Sequence, residues 1–189
     1  MSLERSVKEL LERGDVGKAS EEVIRGLGPR VLRYLRSVLR DEDQAADAFS
    51  LFAESVWQGL AKFRGDSALL TWALWIARNV ALDLRRNPWN RDRQRLSTGA
   101  ASALADSIRT RTHARWAQRE EDLAVLRKGL STEEQSLLVL RMDQRLSWAQ
   151  IADVLSRDGT VVQPATVMKR FERLKARLGK MARRRGLLP

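Results

Sequence analysis

Five basic residues recur at helical spacing late in the chain. Arg170, Arg173, Arg177, Lys180 and Arg184 step by three, four, three and four. Residues 169–185 hold nine Lys or Arg and one acid, Glu172. Like charges at these spacings repel on a helix face. A phosphate backbone would relieve that repulsion and release counterions. A merely solvated face usually mixes both signs, so the stripe points to nucleic acid. Thr166, Lys169, Arg170, Arg173 and Arg177 are the candidates for base and phosphate contact.

A second group lies in Phe63–Arg86, FRGDSALLTWALWIARNVALDLRR. Arg78, Asn79, Asp83, Arg85 and Arg86 are polar groups late in one predicted helix, and tryptophans precede them. Tryptophan near basic residues can stack on unpaired bases. A tryptophan at helical spacing is more often core, so Trp72 and Ile76 are read as core and Trp75 as the lesser candidate for stacking. A third group is acidic. Asp41, Glu42, Asp43, Asp47 and Glu54 occur between residues 41 and 61 with no base among them. Such a face is either solvated or docks on a basic protein partner.

Composition narrows the chemistry. The chain has 189 residues, a net charge of +11 and no cysteine. A disulfide scaffold, a thiolate metal site and a cysteine nucleophile are excluded. His113 is the only histidine, which argues against a zinc site or a histidine-based triad. The acids at 41–54 have no partner cluster elsewhere, so a metal-dependent nuclease ranks low. No cofactor is expected. The first residues lack the apolar core of a signal peptide. The longest nearly uncharged run, Ser67–Ala77, is too short to span a bilayer. No membrane span and a cytoplasmic location are therefore expected. The charge is uneven: residues 1–86 are nearly balanced, whereas 87–119 and 120–189 each carry an excess of five positive charges.

The elements that must hold these residues are almost all helical. Residues 1–20 read as a short extension broken at Gly14 and Gly17, and 21–40 as a helix pair interrupted at Gly28-Pro29. Phe49, Phe52, Val56 and Leu60 give an amphipathic helix over 43–60. Asp66 or Ser67 is positioned to cap a helix from about Ala68 to Arg86. Residues 87–119 lose apolar periodicity and read as a flexible basic linker, with helix conceivable only near 114–118. Helices follow over 119–128, from Ser131 with Glu134 as a capping box, over 148–155 behind Ser147, and from Pro164 to about Arg185. The last helix has an apolar seam of Val167, Phe171, Leu174, Leu178 and Met181. The two final helices and their turn form a helix-turn-helix pattern. The fold class is all-α, two small helical domains on either side of a linker.

In this order the segments resemble extracytoplasmic-function sigma factors of bacterial RNA polymerase. TWALWIARNVALDLRR is similar to the family's second region, and LSTEEQSLLVLR, LSWAQIADVL and ATVMKRFERLKARL to its fourth. The resemblance implies an extension at 1–20, a second-region bundle at 21–90, a linker at 91–119 and a fourth-region helix-turn-helix at 120–189. It implies that Asp47, Phe52, Glu54 and Trp57 dock on core polymerase. Lys62, Phe63, Arg64, Ser67, Arg78, Asn79 and Asp83 would capture the minus-ten element. Thr166, Lys169, Arg170, Arg173 and Arg177 would read the minus-thirty-five element. Core polymerase, promoter DNA and an anti-sigma factor are the implied partners, and the protein would bind rather than catalyse, joining the nucleoid when polymerase-bound. Ser50 and Leu51 stand where the family has a Gln-Glu or Ser-Glu pair, and an insertion occupies Asp158–Gln163. The competing readings are a stand-alone helix-turn-helix regulator, separable by binding to core polymerase, and an RNA-binding adaptor.

Overall fold

Polar caps and apolar seams divide this chain into helices, and the computed structural model describes them over residues 2–86, 101, 103–108, 129–156 and 159–184. Among these residues there is no β-strand. The chain forms two units, Met1–Ala114 and Arg115–Pro189.

The first unit is built on α1 (Leu3–Glu12), α2 (Val16–Leu39), α3 (Glu42–Gly59) and α4 (Leu69–Arg86), with a 3-10 turn at Leu60–Lys62. Ser2, Asp15 and Asp41 cap the first three helices by accepting backbone N–H groups. The break expected at Gly14 is present, but Gly17 lies inside α2. The expected interruption at Gly28-Pro29 is absent, because α2 runs through both residues. An internal proline costs a helix about 3 kcal/mol. Each large aliphatic side chain removed from water returns about 1.5–3 kcal/mol. Val23, Ile24, Val31, Leu32 and Leu35 are all fully buried on α2, so packing outweighs the proline.

Phe49 and Phe52 stack at 5.7 Å between ring centroids and fill the core beneath α3. Two arginines fasten the α2–α3 corner. Buried Arg36 pairs with Glu42 at the start of α3. Arg85 donates to the Val38 and Leu39 carbonyls at 3.4 and 3.5 Å, where α2 ends.

Residues 103–108 fall within the span expected to be flexible linker, yet they are helical. Leu104, Ala105 and Ile108 are buried, and their spacing puts them on one helix face. The Ile108 side chain sits over Gly28, with Cδ1 2.9 Å from where a β-carbon would stand, and the Phe49 ring is 3.1 Å from the same point. Only a residue without a side chain leaves room for both. The helix expected over 119–128 and the helical turn near 114–118 lie outside the described residues.

The second unit contains α5 (Thr132–Met142), α6 (Trp148–Leu155) and α7 (Pro164–Arg184). The capping box at Ser131 and Glu134 is formed as expected, and Ser147 with Gln150 forms another. Val167, Phe171 and Leu174 bury the expected seam of α7, while Leu178 and Met181 are half-buried. Trp148 packs on Phe171 at 5.3 Å, and the Arg141 guanidinium lies 4.2 Å from the Trp148 ring. The Ser156 hydroxyl closes the turn after α6. It donates to the Ala152 carbonyl at 2.8 Å and accepts the Val162 N–H at 3.0 Å.

Candidate nucleic-acid interface

In the first unit, α3 and α4 enclose a groove of about 750 Å³. Leu51, Glu54, Ser55 and Gln58 line it from α3, and Trp72, Trp75, Asn79 and Asp83 from α4. Lys62 closes one end from the 3-10 turn. The helical repeat explains the α4 wall, since 72, then 75 or 76, then 79 and 83 recur at three- and four-residue steps.

The groove combines a flat apolar surface with separated polar groups. Trp75 is 37% exposed, the largest exposed aromatic surface among the described residues. The Asn79 Oδ1 atom is buried and has no hydrogen-bond partner. A buried amide oxygen left without a partner costs free energy. Lys62 supplies donors and Asp83 an acceptor in the same lining. A planar ring bearing its own donors and acceptors matches this set, with its face against an indole.

The seven residues expected at the minus-ten element therefore fall into three places. Lys62, Asn79 and Asp83 line the groove together. Phe63 leans on Trp72 at 5.1 Å, bracing the loop beside it, where exposed Arg64 and half-buried Ser67 lie. Arg78 is only 8% exposed and belongs to the packed side of α4, so it has little surface to offer a ligand. Trp75 is exposed at the groove, whereas Ile76 is buried and Trp72 half-buried. Ser55 and Gln58 were not singled out by the sequence reading. Their signal was their spacing from Leu51 and Glu54, one turn along the same face.

Residues expected to dock on a partner divide similarly. Asp47, Glu54 and Trp57 are half-buried along α3. Phe52 is fully buried against Phe49, so it shapes α3 from beneath and presents no surface. Two acids of the Asp41–Glu54 cluster have structural work. Asp41 caps α3 through the Gln44 N–H at 2.8 Å, and Glu42 holds Arg36. Glu54 also lines the groove, so one side chain borders both candidate surfaces.

In the second unit, Thr166, Lys169, Arg170, Arg173 and Arg177 are all exposed on α7. Arg177 differs from the rest. Its Nη2 donates to Glu134 Oε2 at 2.7 Å and to the Gly129 carbonyl at 3.1 Å, tying α7 to the start of α5. Burial pushes the Glu134 carboxyl up, but the Ser131 N–H, the Arg177 guanidinium and the Ser131 hydroxyl outweigh it and hold it below its ordinary value.

Residues 23–91 match the family model of sigma-70 region 2. The match covers most of α2, all of α3 and α4, and so both walls of the groove. No curated protein matches the chain. The match spans 69 of the 189 residues, and within them the chain is similar to a sigma-70 region 2 domain. No helix among the described residues is long and apolar enough to cross a membrane.

Proposed function

We propose that this chain is a sigma factor of the extracytoplasmic-function type. The first unit docks on core polymerase through the α3 face with Asp47, Glu54 and Trp57. It holds a base flipped from the minus-ten strand against Trp75, Lys62, Asn79 and Asp83. Unstacking that base costs a few kcal/mol, offset by contacts in the groove. The residues of 120–189 act as a helix-turn-helix that lays the start of α7 into the minus-thirty-five major groove, with Thr166, Lys169, Arg170 and Arg173 facing the DNA. The span 91–119 connects the two reading elements, and an anti-sigma factor that covers both controls access.

The observation that carries this reading is the groove itself. It lies wholly within the segment matching region 2 and gathers a donor, an unsatisfied amide oxygen, a carboxylate and an exposed indole. The basic face of α7 behind a capped α6 supports the upstream assignment.

The test is run-off transcription with bacterial core polymerase on a promoter library, with and without the protein. Promoter-specific initiation that disappears in the Arg170→Ala/Arg173→Ala double variant is expected. Duplex binding without core binding or initiation would favour a stand-alone regulator instead.

A further inference from the structure

We infer that Glu4 is a positioning residue for the loop Lys62–Ser67. The inference rests on the proposed role of that loop at the minus-ten element. It concerns α1, a helix that lies before the region 2 match.

The argument starts at the first turn of α4. The N–H groups that open a helix have no partner within it. Leu69 opens α4 and is 3% exposed, so water has little access to satisfy it. Asp66 and Ser67 are adjacent in sequence and were the expected caps. The carboxylate that takes the Leu69 N–H is Glu4 Oε1, at 3.0 Å and 65 positions away in the chain. It is a charged acceptor at the positive end of the helix dipole, which strengthens the bond.

Glu4 is delivered there by packing. Val7 on α1 is buried at 2% exposure. Leu3 lies over Gly26 of α2, with Cδ2 2.7 Å from where a β-carbon would stand. That close approach seats the first turn of α1, and Glu4 is the next residue along it. The turn of α4 that Glu4 holds leads directly to Trp72, which braces Phe63 and lines the groove. The loop therefore has two fixed points: the Phe63–Trp72 contact and the Glu4–Leu69 bond. Without Glu4 the first turn of α4 frays and the loop loses its second anchor. The α3 docking face does not depend on this bond.

The experiment compares full-length wild type with Glu4→Ala and Glu4→Gln. Glutamine keeps an oxygen that can accept the same N–H. Hydrogen exchange at the Leu69 amide is expected to accelerate on the order of fivefold in Glu4→Ala and to return toward wild type in Glu4→Gln, as for loss and retention of an N-cap. Amides in the middle of α3 should not change, which separates local fraying from general destabilisation. With core polymerase, Glu4→Ala should lower promoter opening several-fold at unchanged core affinity, and Glu4→Gln should recover it. Unchanged Leu69 exchange in Glu4→Ala overturns the inference. So does altered exchange with wild-type opening. Wild-type protein that fails to initiate removes the minus-ten assignment instead, and the exchange data then decide the Glu4 anchor alone.

Discussion

The two units differ in how much of each helix they bury and in how much basic surface they leave exposed. In the first, buried Arg36 pairs with Glu42, and exposed Arg85 reaches back to the end of α2. Tyr34, Phe49, Phe52, Leu32, Leu35 and Leu74 fill its core, all fully buried. In the second, Lys169, Arg170 and Arg173 face solvent from a helix that buries only Val167, Phe171, Leu174 and Ala182. A groove needs two walls held at a fixed separation, and a deep core provides that. A helix that enters a DNA groove needs exposure, which limits how much of it can be buried. More large side chains are fully buried in the first unit, and the exposed basic face lies on α7 of the second.

The largest expected effect breaks this comparison at its centre. Phe52→Ala removes a fully buried ring from under α3 and should cost about 3–5 kcal/mol. Urea unfolding of the full chain, followed residue by residue by NMR, should show the first unit unfolding at much lower denaturant while α5–α7 keep their midpoint. Equal losses in both units would mean that they unfold as one body and share their stability.

A smaller effect separates the basic residues of α7 from one another. Replacing Arg170 or Arg173 by Ala should each lower the slope of log affinity against log salt by about 1, with no change in melting temperature. Arg177→Ala should instead cost about 1 kcal/mol of second-unit stability, because it breaks an ion pair to Glu134 and a bond to Gly129, and should change the salt slope less. Thermal melts and salt titrations of duplex binding, run on the same three variants, check both. Identical behaviour of all three would make the stripe uniform and remove the distinction.

What could be read in the sequence was local. The Ser131–Glu134 box, the Ser147 cap and the Pro164 start each depend on residues within four positions, and each stands where expected. The α3 and α4 periodicities were legible for the same reason, and with them the wall that carries Asn79 and Asp83. Contacts between distant segments were not legible. Nothing near Leu69 signals a cap from Glu4, and nothing near Pro29 signals that buried aliphatics will carry α2 through it. Ile108 over Gly28 likewise joins segments 80 positions apart, so a stretch lacking long-range periodicity read as linker. The burial of Phe52 and Arg78 was equally invisible. Spacing put them on a helix with functional neighbours, but only the packed fold shows which of them point inward.

The smallest expected effect tests whether Arg177 belongs to the fold, using pH. Glu134 is held below its ordinary value of 4.5, with burial opposing and the Ser131 N–H and Arg177 prevailing. A carboxyl whose folded value is lowered favours the folded state only while ionised. Its contribution is complete above the unfolded value and is lost as pH falls through the folded one. Second-unit stability should therefore decline on acidification below about pH 4.5, and Glu134→Gln should flatten that part of the profile. Arg177→Ala should flatten it partly, because the Ser131 N–H still holds the carboxylate at 2.9 Å. Amide exchange in α5 and α7, followed from neutral pH downward, reads the result. A profile in Arg177→Ala identical to wild type would show that the arginine contributes nothing to holding α7 on α5. Arg177 would then rejoin Arg170 and Arg173 as a residue available to DNA.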